Sequence, residues 1–205
     1  MDWLFGMALG LAAYLIGSIP SAYILVHLLK REDIRRFGSG NVGALNAYYR
    51  IGLRGAILVL AADAGKGALV FLVPVWLGAP GWTVFLTTFL VVAGHNWPIF
   101  LGFRGGKGAA AILGISLAVV PVLTLIVAGP TLLVALLLRN VVLGAAVGFV
   151  LLNLLLVVTR QSPDQLLLCL FLTLVVTTTY LVSAWGHIIN SIKQRHWREL
   201  FTGLA

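Results

Sequence analysis

The chain has 205 residues, 60% of them hydrophobic and only 10% charged, with a net charge of +8 and a mean hydropathy of +1.05. Apolar runs far longer than a soluble core needs place it among polytopic membrane proteins. Its basic residues sit in short loops between those runs rather than on one polar face, which excludes a nucleic-acid binder. The single cysteine, Cys169, lies in an apolar run, so an internal disulfide and a cysteine metal site are excluded as well.

From Trp3 to Leu29 there is no Asp, Glu, Lys or Arg, and no basic residue precedes the run. It lacks the positive flank and short core of a secretory signal and reads as a retained first membrane helix. Further spans are predicted at 57–77, 82–101, 108–120, 122–138, 141–158 and 166–186, an all-α bundle of seven transmembrane helices forming a single domain, 1–205. The fourth run covers only about 20 Å of a hydrocarbon core near 30 Å, so a short helix inside the bundle is expected there. On this scheme all of the 14 Lys and Arg except Arg160 fall on one side, counting Lys66 with the loop it follows. The positive-inside rule makes that side the cytoplasm, with the N-terminus outside and the C-terminal segment from Lys193 to Arg198 inside.

The polar sequence gathers at that same face. Gly38-Ser39-Gly40-Asn41-Val42-Gly43 satisfies the dinucleotide pattern G-x-G-x-x-G formally, but a basic loop precedes it where a strand is required, and Asp63 lies within an apolar run. What survives is local chemistry: glycines that let the backbone approach a ligand, with Ser39, Asn41 and Asn46 as hydrogen-bond donors, beside the alternative of an ordinary polar turn. Gly94-His95-Asn96-Trp97-Pro98 runs into Phe103-Arg104-Gly105-Gly106-Lys107-Gly108, setting two cations on a glycine loop. Two readings stand. Arg104 and Lys107 stop a membrane helix and snorkel to headgroups, or they join freed backbone N–H groups to hold a phosphate or carboxylate; the glycines and the adjoining His-Asn favour the second. Gly106-Lys107 is not a Walker loop, because Leu101 and Gly108 stand where glycine and Ser/Thr are required.

Asp63 and Lys66 are spaced i, i+3 within an apolar run, where each charge alone costs about 2.5–3.5 kcal/mol, so they are expected to pair; a catalytic role is the alternative. His95 and His187 each close an apolar run at the cytoplasmic end, and each has an Asn nearby, Asn96 and Asn190, an arrangement able to share a phosphate with Lys107. No cluster has metal-ligand spacing, so no metal is expected. No His is followed five residues later by Asp, so the His-Asp pair of one large glycerolipid acyltransferase class is missing, and acyl chemistry would need an activated donor.

Taken together, Gly38 to Ala44 with Asn46, Asp63 with Lys66-Gly67, Gly94-His95 with Pro98 and Arg104 to Gly108, and His187 with Asn190 resemble the bacterial PlsY family, in order and through nearly the whole chain. The resemblance implies an integral membrane glycerol-3-phosphate acyltransferase that moves a fatty acyl group from acyl phosphate to the 1-hydroxyl of glycerol 3-phosphate, giving lysophosphatidic acid, the first step of phospholipid synthesis. It also implies seven spans and a cytoplasmic site in the inner membrane, with no cofactor. The residue matches suggest Ser39, Lys107, His187 and Asn190 as catalytic contacts to substrate phosphate. Gly38, Gly40, Asn41, Asn46, Arg50, His95, Asn96, Arg104, Gly105 and Gly106 are expected to line the substrate site. The expected partners are the two substrates and membrane lipids; nothing in the sequence assigns an oligomeric state. The chain departs from the family at Leu45, where Thr is usual, and at Tyr49, with Arg50 one step beyond the usual phosphate-binding Arg; that step is about 100° on a helix. Ser191 and Lys193 depart too. Two rival classes use the same loops: a small membrane anion transporter with a basic selectivity mouth, against which stands the lack of an internal repeat, and a catalytically weakened lipid-binding paralogue.

Overall fold

The computed structural model describes residues 3–193, with side chains through 182 and at Trp185. Eight α-helices and no strand occur among the described residues: α1 (Trp3–Ser18), α2 (Ser21–Lys30), α3 (Ala44–Trp76), α4 (Gly81–Asn96), α5 (Ala109–Val119), α6 (Pro121–Leu137), α7 (Val141–Val158) and α8 (Pro163–Lys193). Five segments are long and apolar enough to cross a membrane: Trp3–Lys30, Ala44–Trp76, Gly81–Leu101, Val141–Val158 and Pro163–Val182. The protein is a multi-pass helical membrane protein. The helices α5 and α6 are shorter apolar segments, as expected for the fourth run.

Two boundaries differ from the sequence expectation. The first span is interrupted between α1 and α2, because Pro20 has no N–H to continue the ladder and pushes Ile19 out of helix. The second begins at Ala44 rather than 57. Gly52, at φ 77° and ψ −176°, kinks α3 and separates an arm over 44–51 from the apolar stretch that follows.

The chain forms two compact units, Met1–Val119 and Val120–Ala205. In the first, α1 packs on α4 and α3 on α5. Small residues permit backbone-to-backbone approach: a Cβ on Gly17 would strike the carbonyl of Val91, and one on Gly94 the carbonyl of Tyr14. The short α5 is an inner helix, with Ala111, Ile112 and Ile115 fully buried. A core of Ala22, Val26, Ile34, Val42, Ala47, Val59 and Leu101 lies beneath the loops that follow α2 and α4, which fixes those loops from below.

In the second unit, Asn140 caps α7 by accepting from the N–H groups of Val142 and Leu143 at 2.9 and 3.1 Å. Ser162 and Gln165 form a reciprocal capping box at the start of α8. Asn153 donates to Thr173 Oγ1 at 2.8 Å and so ties α7 to α8. The basic segment from Gln194 onward lies outside the described residues.

Candidate active site

The loop after α2 is built on its own counter-ions. Asp33 accepts from the backbone N–H of Arg35 at 2.9 Å and starts a 3₁₀ turn over Ile34–Arg36. The Arg35 guanidinium returns to the Asp33 carboxylate at 2.8 Å and donates through Nη1 to the carbonyl of Leu101 at 3.0 Å. The hydrogen bonds from Arg35 hold the Asp33 carboxyl below the usual carboxylate range. Gly38 and Gly40 then take φ of 54° and 70°, a region in which L side chains are strained, leaving Ser39 exposed between them. Asn46, 2% exposed, donates its amide protons to the carbonyls of Ile34, Phe37 and Asn41 at 3.0–3.2 Å. Arg50 pairs bidentately with Glu32, with Nε at 2.5 Å, and lies over the Phe37 ring. The pairing lowers the Glu32 pKa.

The loop after α4 is folded by its backbone. Pro98 opens a 3₁₀ turn over Ile99–Leu101, Gly102 and Phe103 take positive φ, and Phe103 N–H bonds back to the Pro98 carbonyl at 2.9 Å. The chain then doubles back onto the end of α4: Gly105 N–H donates to Asn96 O at 3.1 Å and Gly106 N–H to His95 O at 2.9 Å. A Cβ on Gly105 would strike the His95 carbonyl and one on Gly106 the His95 Nε2, so the close approach requires glycine at both. The two loops are joined where Val42 N–H donates to Gly105 O at 3.4 Å. Between them lies a cleft of about 360 Å³ lined by Asp33, Arg35, Arg36, Gly40, Arg104 and Gly105. Lys107 follows on the same loop, half-buried, and that burial lowers its pKa.

Beneath the second loop is a buried ionic group. Asp63 is 1% exposed; Lys66 Nζ stands 2.9 Å from its Oδ1, and His95 Nδ1 stands 3.6 Å from the same oxygen. The latter is longer than a hydrogen bond and counts as an ion-pair contact when the imidazole is protonated. Lys66 also donates to the carbonyls of Gly17 and Ile19 at 2.9 and 3.1 Å, the groups freed by the break between α1 and α2. The expected Asp63–Lys66 pair is present.

The structure therefore brings Gly38, Ser39, Gly40 and Asn41 together with Arg104, Gly105, Gly106 and Lys107. His95 and Asn96 are buried behind the second loop, with Asn96 against Gly108. Asn46 turns its donors to the loop it holds, and Arg50 is engaged by Glu32. His187 and Asn190 fall within α8, and their side chains lie outside the described residues. Sequence reading missed Arg36, exposed at the cleft; its place one residue from Phe37-Gly38 was the available signal. It also missed the contact of His95 with Asp63, which depends on α3 and α4 packing together.

The class so defined is a multi-span helical membrane protein with a cationic, glycine-lined cleft between two loops. A family model described as glycerol-3-phosphate acyltransferase matches residues 7–194, and the chain belongs to that family. A glycerol-3-phosphate acyltransferase of Halalkalibacterium halodurans is 36% identical over 188 residues, covering 90% of this chain and 89% of that one. Glycerol-3-phosphate acyltransferase 4 of Dehalococcoides mccartyi is 46% identical over 115 residues, 56% of this chain and 50% of the relative. The match thus spans about half the length of that relative. The crystal structure of PlsY, an integral membrane glycerol 3-phosphate acyltransferase, matches in its glycerol 3-phosphate form with a TM-score of 0.80 at 30% identity, over 92% of each chain. Its lysophosphatidic acid form matches with a TM-score of 0.78 at 29% identity, over 92% of each chain.

Proposed function

We propose that this chain transfers a fatty acyl group from acyl phosphate to the 1-hydroxyl of glycerol 3-phosphate, as a single seven-span domain of the bacterial inner membrane. The site faces the cytoplasm and the N-terminus lies outside, in keeping with the basic asymmetry of the loops. The observation that carries the reading is the junction of two glycine loops around a cleft lined by Arg35, Arg36 and Arg104, next to Lys107. Family membership supports the reaction, and the glycerol 3-phosphate and lysophosphatidic acid forms of PlsY support the acceptor and the product.

Acyl phosphate is a mixed anhydride, so the donor arrives activated and the protein supplies position and charge. The 1-hydroxyl oxygen attacks the acyl carbon, the bond from that carbon to the phosphate oxygen breaks, and phosphate leaves with the electron pair and takes up the hydroxyl proton. Ser39, Lys107, His187 and Asn190 hold phosphate, assisted by glycine N–H groups of both loops, while the acyl tail remains among the helices. The buried His95 and Asn96 shape the loop, and Asn46 and Arg50 hold the first loop in place.

The test is an assay of the purified protein with acyl phosphate and labelled glycerol 3-phosphate in metal-free buffer. Lysophosphatidate is expected from acyl phosphate alone. Efficient use of acyl-CoA or acyl carrier protein with acyl phosphate ignored would overturn the reading.

A further inference from the structure

The buried Asp63, Lys66 and His95 lie outside the cleft, and the reaction as proposed uses neither Asp63 nor Lys66. Their arrangement is nonetheless directional. The Lys66 ammonium is held by the carbonyls of Gly17 and Ile19 and by the Asp63 carboxylate together. Asp63 presents the same Oδ1 to His95 Nδ1 at 3.6 Å. The opposite edge of that imidazole meets the loop: the space a Gly106 side chain would need is filled by His95 Nε2 and Cδ2, and the Val42 carbonyl also borders it. The His95 carbonyl receives the Gly106 N–H at 2.9 Å, and Gly105 O receives Val42 N–H at 3.4 Å. One imidazole therefore lies between a carboxylate fixed inside the helices and Gly106, while the His95 carbonyl meets Gly105, the glycine that Val42 bonds.

We propose that Asp63, held by Lys66, is a positioning residue: it sets the His95 ring, and through that ring fixes the Gly105-Gly106 turn against Val42 and the loop carrying Lys107. The intramembrane ion pair thereby does more than neutralise itself. A pair that only cancelled charge would need neither the contact to His95 nor a place directly behind the loop, and a buried pair is by itself weak evidence of stabilisation.

Removing Asp63 alone would strand Lys66 as a buried uncompensated cation, so the variant of choice is Asp63→Asn with Lys66→Met, which removes both charges together. Backbone hydrogen–deuterium exchange of the 102–108 and 41–43 segments reads the loop directly and needs no activity. In the double variant, amide exchange at Gly105, Gly106 and Val42 is expected to rise about tenfold or more while exchange along α4 stays at the wild-type level. For the kinetic arm, which rests on the acyltransferase reading, kcat/KM for glycerol 3-phosphate is expected to fall about tenfold, with most of the change in KM. A stably folded double variant with unchanged loop exchange overturns the proposal. Should the double variant unfold, His95→Gln keeps the Asp63–Lys66 pair and removes only the ring. Its loop must exchange faster too, and unchanged exchange there overturns the proposal equally. A wild-type protein inactive with acyl phosphate would defeat the functional reading while leaving the exchange result to decide this one.

Discussion

The two loops that meet at Val42 and Gly105 are held in opposite ways. The first, between α2 and α3, is fastened by side chains: Asn46 gathers three carbonyls, Asp33 engages Arg35, and Glu32 engages Arg50. The second, between α4 and α5, is fastened by its own backbone folded onto His95 and Asn96, and the stretch 94–108 contains no acidic residue at all. The first loop thus brings counter-ions for Arg35 and Arg50 and leaves Arg36 at the cleft; the second presents Arg104 and Lys107 with no acidic residue in its own sequence. The difference teaches that number of basic residues is a poor guide to where an anion binds. The first loop contributes shape, glycine N–H groups and Arg36, and the second contributes charge without acidic neighbours in its sequence.

The largest expected effect tests that division. Lys107→Ala should lower lysophosphatidate formation about 10²-fold or more, the scale on which preorganised charge acts, with the protein still folded by thermal unfolding. A comparable loss from Arg50→Ala would reverse the comparison. Gly106→Ala comes next. Its methyl group enters the space of the His95 ring and pushes on the Val42 carbonyl, so the loops should part, with about a tenfold loss in kcat/KM and about 1–3 kcal/mol of destabilisation, measured by kinetics and melting in detergent. Smaller is the pH effect. Only the protonated Lys107 attracts phosphate, and its burial lowers its pKa. The KM for glycerol 3-phosphate should therefore begin to rise at a pH below that of an ordinary lysine, about 10.4, and Lys107→Arg should move this alkaline limb upward because a guanidinium stays charged. The smallest effect is assigned to Arg50. Since Glu32 occupies its guanidinium and solvent screens the pair, Arg50→Ala should leave KM within about threefold of wild type.

Much of this was legible in the sequence for a physical reason: charge in an apolar run has few ways to be satisfied. That is why Asp63 and Lys66, three residues apart, could be paired on paper, and why the glycines around Arg104 and Lys107 read as a loop between helices. The break at Pro20 was not legible, because a proline in a membrane helix is tolerated when some neighbour supplies the missing donor. Here the Ile19 N–H turns to Ile16 O, and Lys66, 49 residues beyond Gly17, serves the Gly17 carbonyl. The early start of α3 was hidden likewise. Arg50 and Arg54 make 44–56 too polar to pass as a span, yet the arm before Gly52 is helical, with Asn46 and Ala47 buried beneath the loop. Asn46 read as a donor to a ligand because a polar residue in a glycine-rich stretch looks outward until the carbonyls around it are known.

The break in the first span bears on the order in which the protein is made. When Trp3–Lys30 enters the membrane, the Gly17 carbonyl has lost its helical donor, because the Ser21 N–H turns to Ile19 O instead, and water or a headgroup must serve it. Lys66 reaches the bilayer later, during synthesis of α3, with Asp63 on the same helix as its counter-ion and further N–H donors still to place. The lysine then gives the Gly17 carbonyl the donor that its own helix lacks. A chain stalled before residue 66 is therefore expected to hold its first helix pair shallow or hydrated.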